Sequence, residues 1–280
     1  MLHIIETHHF LSPEKKSMSF SSQVVWITGA SSGIGEHLAY AFANRGAKLI
    51  LSSRNEQELQ RVRQNCPATT EIMVLPMDVT DFASLPVLVQ QALGRFGNIQ
   101  VLINNAGISQ RSAVKDTLFE VDKKIMEVNF LGTVALTKAV LPSMLGQKGG
   151  QIVVISSVMG KIGTPRRSAY AASKHALHGY FDSLRAEIHE QGVKVTLICP
   201  GYVHTNVTIN ALTADGSANK KMAEATRNGM DPGVFAEKAL RAIAREKEEV
   251  LIGGKEILGV YIKRFFPRLF SRIARGLKVS

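Results

Sequence analysis

Val24-Val-Trp-Ile-Thr28-Gly-Ala-Ser-Ser-Gly-Ile-Gly35 is the stretch that decides the fold. The apolar run 24–27 reads as a strand buried on both faces. A glycine-rich turn follows it and opens a helix over 33–45 that ends near Gly46. The glycines permit a tight turn and close backbone approach. The helix N-terminus then offers free N–H groups and partial positive charge to a pyrophosphate. The spacing is Gly29-x-x-x-Gly33-x-Gly35, not the commoner Gly-x-Gly-x-x-Gly.

Outward from that turn the same alternation repeats. Short apolar runs at 48–51, 72–75, 100–103, 152–155 and 193–198 read as further strands, and 251–252 as a short seventh. Longer amphipathic stretches at 55–64, 82–96, 118–145 and 169–191 read as helices between them, and Asp231-Pro232 starts another with proline at its first position. Continuous Val/Ile/Leu runs between helices indicate strands buried on both faces, hence a parallel sheet. Right-handed crossovers then give an α/β fold: one doubly wound Rossmann-type domain of about seven parallel strands, helices on both faces, ligands at the strands' carboxyl ends. The expected organisation is an N-terminal extension at 1–22, the domain at 23–254, and a basic, apolar tail at 255–280. Met18 could be the true start.

The composition excludes several classes. With 280 residues and 45% hydrophobic content the chain can bury a sizeable core. The net charge is +11, but residues 255–280 hold seven Lys/Arg against Glu256 alone and supply +6 of it. The excess describes a tail, not a nucleic-acid-binding domain. Cys66 and Cys199 give no disulfide framework, so a reducing, cytoplasmic compartment is expected. The eight histidines show no ligand spacing, and no metal is expected. The first 22 residues lack the apolar core of a signal peptide, and no run reaches the roughly 18 apolar residues of a membrane span.

The second strand bears on the dinucleotide. NAD sites place a carboxylate about 20 residues on, to take the ribose hydroxyls. Here the stretch reads Leu51-Ser-Ser-Arg54-Asn55. Arg54 can pair with a 2′-phosphate bidentately and Ser53 can donate to it, which favours NADP(H) over NAD(H).

Tyr170 and Lys174, in Ser168-Ala-Tyr-Ala-Ala-Ser-Lys174, stack one turn apart on one helix face. An ammonium close to a phenol favours the phenolate and lowers a pKa that is ordinarily near 10, making the hydroxyl usable for proton transfer.

Thr28-Gly-x-x-x-Gly-x-Gly35, Asn104-Asn-Ala-Gly107, Asn129, Ser157, Tyr170-x-x-x-Lys174 and Pro200-Gly201-x-x-x-Thr205, in that order, resemble the short-chain dehydrogenase/reductase superfamily across about residues 23–255. The resemblance implies four catalytic positions. Tyr170 would be the acid in reduction and the base in oxidation. Lys174 would depress its pKa and hold the nicotinamide ribose. Ser157, 13 residues before the tyrosine, would stabilise charge on the substrate oxygen. Asn129, in an apolar helix, would bend that helix and hold a water relaying protons to Lys174; a purely local role is its alternative. The implied cofactor contacts are Gly29, Ser31, Ser32, Gly33, Ile34 and Gly35 around the phosphates, and Ser53 and Arg54 at the second strand. Asp78 and Val79 would lie at the adenine, Asn105, Ala106 and Gly107 beside the adenosine, and Tyr170, Lys174, Pro200, Gly201, Val203 and Thr205 around the nicotinamide. Asp81 is expected to cap the third helix. A homodimer or homotetramer is implied as well.

The family's substrate lid falls at about 206–230, with Ile209, Leu212, Met222 and Ala225 as possible pocket linings. An apolar lid suits a hydrophobic carbonyl: an acyl-thioester, a lipid ketone or a steroid-like alcohol. In the tail, aromatics and cations interleave, and Pro267 would break a helix. Two readings stand for it: a peripheral anchor on the cytoplasmic face of a membrane, or a terminal helix packed on protein. The expected function is NADPH-dependent carbonyl reduction. The alternative is a catalytically silent NADP(H)-binding regulator or scaffold at a membrane, against which stand the intact serine, tyrosine and lysine.

Overall fold

A computed structural model describes residues 19–277. Most of the expected extension at 1–22, and the last three residues of the tail, lie outside the described residues. Phe20, inside that expected extension, is buried and meets the Phe42 ring edge-on at 4.8 Å. The core therefore starts before the first strand.

Seven strands form one sheet in the order β3-β2-β1-β4-β5-β6-β7, every neighbouring pair parallel. They are β1 (Val24–Thr28), β2 (Lys48–Ser52), β3 (Ile72–Val74), β4 (Val101–Asn104), β5 (Gly150–Ile155), β6 (Val193–Pro200) and β7 (Glu249–Ile252). The helices are α1 (Gly33–Ala43), α2 (Glu56–Gln64), α3 (Leu85–Phe96), α4 (Phe119–Met126), α5 (Gly132–Gly146), α6 (Ser168–Glu187), α7 (Glu224–Arg227), α8 (Pro232–Ala244), α9 (Ile257–Phe265) and α10 (Pro267–Gly276). Alternate residues of β1 serve opposite layers, because strand side chains alternate. Val25 and Ile27 pack with Leu38 and Phe42 of α1 and Phe235 and Leu240 of α8. Val24 and Trp26 pack with Val89 of α3, Leu136 and Val140 of α5, and Phe181 of α6. The architecture is the doubly wound parallel sheet expected from the apolar runs.

Two local expectations change. Asp81 does not cap α3. Its carbonyl accepts from the Ser84 N–H and hydroxyl, closing a separate turn, and α3 begins at Leu85 with proline in its first turn. The helix expected over 118–145 runs from Phe119 to Gly146 and is long and apolar enough, by length and composition, to cross a membrane. It is apolar because its α5 half carries fully buried Leu136, Val140 and Met144 against the sheet. A five-residue π turn, Glu127–Leu131, joins α4 to α5.

Candidate active site

The strand order reverses between β1 and β4, where crossovers to opposite faces leave a crevice at the strands' carboxyl ends. A cleft of about 500 Å³ occupies that position. Every cofactor and catalytic position expected from the sequence lines it except Gly35 and Asn129, which lie one layer behind.

The glycine loop is shaped by backbone and by β4. Gly29 and Gly33 have φ of +63° and +57°, in the left-handed region that side chains disfavour. A Cβ on Gly29 would stand 2.9 Å from Asn105 Nδ2, and one on Gly33 would stand 3.1 Å from Thr205 Cγ2. The Asn105 amide donates to the carbonyls of Thr28 (2.9 Å) and Gly29 (3.2 Å), while Thr28 Oγ1 accepts from the N–H groups of Asn105 and Ala106, both at 3.0 Å. Asn105 therefore clamps the loop to β4. Ser32, preceding α1, makes no side-chain cap, so the first-turn N–H groups receive no side-chain acceptor. Bare donors, two left-handed glycines and an open cleft fit a dinucleotide pyrophosphate.

At the outer end, Ser53 and exposed Arg54 line the cleft beside Asp78. The Asp78 carboxylate accepts from the Thr80 N–H at 2.9 Å and the Thr80 hydroxyl at 2.7 Å. Burial would raise its pKa, but these bonds and the Arg54 and Lys124 charges hold it below the usual value.

At the inner end stand Ser157, Tyr170 and Lys174. Ser157 ends the extended segment after β5; its hydroxyl accepts from Met159 N–H at 3.1 Å and lies 3.5 Å from the Pro200 carbonyl. Lys174 is buried and donates to the Ile155 carbonyl at 2.8 Å, with Nζ 5.9 Å from the Tyr170 ring centre. Burial pulls its pKa down to about 8. The expected lowering of the Tyr170 pKa is not found. Burial raises it, outweighing the hydrogen bond to Ser157 and the positive charges of Arg167 and Arg111.

Asn129 lies in the π turn, a wound-out segment that often marks functional positions. Its amide is fully engaged: Oδ1 accepts from the Ile108 N–H at 2.8 Å, and Nδ2 donates to the Ile108 carbonyl at 2.9 Å and Ser173 Oγ at 3.0 Å. A Cβ on Gly107 would sit 3.1 Å from Asn129 Oδ1 and 3.6 Å from Lys174 Nζ, so the three groups share one corner.

Of the four expected lid residues only Leu212 lines the cleft, joined by Asn206, Val207 and Asn210. Sequence reasoning missed three supports. Arg61 Nη2 donates to the Ser31 carbonyl at 3.2 Å while pairing with Glu36 at 2.7 Å. Glu256 Oε1 accepts from the N–H groups of Tyr202 (2.9 Å) and Gly254 (3.0 Å), tying the tail to the Pro200-Gly201 segment. Ser156 Oγ lies 3.0 Å from His178 Nε2, and Glu249 Oε2 lies 3.3 Å from His178 Nδ1 and 2.6 Å from Lys161 Nζ. None has a short-range pattern that would reveal it.

The tail folds back. Pro267 ends one helix and begins the next, and Phe270 of α10 packs with Met159, Ile162 and Ala171, beside Tyr170. Leu258, Tyr261, Phe265, Phe266, Leu269 and Ile273 stay exposed.

A cradle for a dinucleotide at the switch point of a doubly wound sheet, with a tyrosine, a serine and a lysine at its inner end, defines a Rossmann-fold oxidoreductase. Residues 23–215 match the family model described as short chain dehydrogenase, and the chain belongs to the short-chain dehydrogenase/reductase family. It is a nucleotide-binding oxidoreductase that takes a nicotinamide cofactor and acts on a small molecule. It is 44% identical over 256 residues to dehydrogenase/reductase SDR family member 7B of Mus musculus, covering 89% of this chain and 79% of that one. It is 45% identical over 248 residues to dehydrogenase/reductase SDR family protein 7-like of Anopheles gambiae, covering 86% and 78%. A short chain dehydrogenase/reductase from Burkholderia phymatum, solved in complex with NAD, superposes with a TM-score of 0.80 at 27% identity over 90% of this chain and 96% of the other.

Proposed function

We propose that the protein is an NADP(H)-dependent reductase of a hydrophobic carbonyl compound, reversible as an alcohol dehydrogenase. The observation that carries this reading is the placement of Tyr170: a phenol on the cleft wall together with Ser157 and Lys174, whose Nζ lies 5.9 Å from its ring centre. When bound, the nicotinamide supplies the hydride. Tyr170 gives its proton to the carbonyl oxygen as negative charge develops there, and Ser157 donates to the same oxygen. Lys174, with a pKa near 8, can return the proton to Tyr170 from the corner it shares with Asn129 and Gly107.

The preference for NADP(H) rests on Arg54. Among the described residues it has no ion pair or hydrogen bond, and no carboxylate ends β2. A 2′-phosphate would find a guanidinium there that makes no hydrogen bond of its own and feels only the Asp78 charge. The tail supports a lipophilic substrate. One face of α10 covers the Tyr170 side of the site, while Phe265, Phe266, Leu269 and Ile273 stay exposed among Lys263, Arg264, Arg268 and Arg272. Exposed apolar side chains among cations, without acids, match an anionic lipid surface.

One screen tests both parts. NADPH oxidation is followed over aliphatic ketones, β-ketoacyl thioesters and steroid ketones, with parallel sedimentation on anionic and neutral vesicles. Turnover of an apolar ketone and selective binding to the anionic vesicles are expected. No turnover of any carbonyl would sink the reductase reading, and no vesicle binding would remove the lipid surface.

A further inference from the structure

Arg111 and Arg167 are buried charges that the reaction above leaves unused. Arg111, in the segment after β4, is 4% exposed, and Arg167, immediately before α6, is 8% exposed. Nε and Nη2 of Arg111 and Nε of Arg167 are shielded from solvent and have no hydrogen-bond partner. Neither guanidinium forms an ion pair with a carboxylate among the described residues. A buried unpaired donor is costly, and more so on a charged group, so each such group calls for a physical account.

Like charges are gathered here. Arg166 Nη2 donates to the Arg111 carbonyl at 3.4 Å. Burial pulls the Arg111 pKa down to about 10, helped by the charges of Arg167 and Arg166, and the groups opposing this are the phenols Tyr202 and Tyr170. Among the described residues no carboxylate pairs with Arg111 or Arg167. One oxyanion would satisfy the open donors, because a guanidinium presents its N–H groups as a planar fork matched to carboxylate or phosphate.

The backbone fixes where that anion would be. Arg111 N–H donates to the Leu212 carbonyl at 2.8 Å, and Leu212 lines the cleft. Gln110 Oε1 accepts from the Ala169 N–H at 2.9 Å, one residue before Tyr170. Ser112 N–H donates to the Arg166 carbonyl at 3.3 Å. Segments 110–112 and 166–170 are thus strapped together behind Leu212, and both arginine charges act on the Tyr170 phenol. The glycine loop and Arg54, which suit the cofactor's phosphates, line the cleft itself, whereas Arg111 and Arg167 stand behind its wall on the Tyr170 side. An anion beside Tyr170 therefore belongs to the substrate.

We propose that Arg111 and Arg167 form a recess for an oxyanion, carboxylate or phosphate, carried by the carbonyl substrate. The proposal rests on the reductase reading and narrows it to an acidic ketone with an apolar body.

The test uses the full chain with NADPH and one aliphatic ketone in three forms: terminal carboxylate, terminal phosphate and the carboxylate's methyl ester. At least one acid should exceed the ester in kcat/KM by about tenfold or more, the better acid naming the headgroup. Arg111→Met and Arg167→Met should bring that ratio close to one, through KM. An ester equal to both acids, or a ratio unchanged in both variants, overturns the recess. A second measurement does not need turnover. The NADP⁺-saturated protein is titrated with inorganic phosphate and its thermal midpoint followed. A rise that is lost in Arg111→Lys, which keeps the charge but not the fork, supports the recess. No rise, or a rise unchanged in that variant, overturns it. Absence of turnover with all three ketones counts against the reductase reading, and the phosphate titration then decides the recess alone.

Discussion

The glycine-loop end of the cleft and the Tyr170 end are built in opposite ways. At the first, Thr28 Oγ1 serves two N–H groups, the Asn105 amide serves two carbonyls, and Arg61 braces Ser31 while paired to Glu36. The protein's own polar groups are matched to one another, and the first-turn N–H groups of α1 are left without a side-chain acceptor. At the second end the mismatch lies within the protein: two buried arginines with open donors and a phenol whose pKa burial has raised. A loop matched to itself can hold a ligand common to a whole family. An end with unmatched charge requires a particular ligand to complete it.

The largest expected effect breaks the chemistry at the second end and leaves the first untouched. Tyr170→Phe removes the proposed proton donor but keeps the ring that packs beside Phe270. Turnover should fall on the order of a hundredfold or more, with NADPH affinity nearly unchanged. Steady-state kinetics with a fluorescence titration of NADPH checks both. Turnover near wild type would show that another group delivers the proton, and equal losses in both quantities would join the two ends into one unit.

Arg54→Asp perturbs the first end by less. It places a carboxylate where a 2′-phosphate would lie and offers an acceptor to ribose hydroxyls. The ratio of kcat/KM for NADPH to that for NADH should drop by about tenfold or more, since a bidentate charge-assisted pair is lost and a repulsion gained. An unchanged ratio would take Arg54 out of the cofactor site. Asp78 gives the same variant an internal control, because its carboxyl is held low in part by the Arg54 charge.

The contrast between the two ends also explains what could be read from the sequence. The glycine loop, the strand runs and the Ser157, Tyr170 and Lys174 spacing are local patterns, and local patterns survive in one dimension. So does the absence of a carboxylate after Leu51. Arg111 and Arg167 look like ordinary charges in sequence, since nothing there reveals that the fold buries both. Glu256 and Arg61 act on backbone groups far away in the chain, at Tyr202 and Ser31. The direction of the Tyr170 shift is hidden for a related reason. A lysine at the right spacing argues for a lowered pKa, whereas the degree of burial that reverses it is a property of the folded site. Phe20 escaped because its partner, Phe42, lies across a whole helix.

The smallest effect concerns what stands beneath the Tyr170 end. Glu249 at the start of β7 lies 3.3 Å from His178 Nδ1 and is paired with Lys161, and these neighbours hold its carboxyl at about 2, below the ordinary 4.5. A carboxylate with a depressed folded pKa contributes stability that is fully present above its unfolded value and lost as pH falls toward the folded one. Glu249→Gln should therefore lower the thermal midpoint by a few degrees at pH 6 to 7, and by progressively less between about pH 4.5 and pH 2. The pair is partly exposed to solvent, which keeps the effect small. A midpoint difference that stays constant across that window would show that Glu249 acts by packing rather than by charge. Because Ser156 contacts His178 and adjoins Ser157, the same variant asks whether the unmatched end rests on a rigid base. If turnover changes with pH in step with the midpoint difference, the charge at Glu249 helps to hold Ser157 in place. If turnover is indifferent, the base is rigid without it, and the poise of the Tyr170 end is set from the Arg111 side.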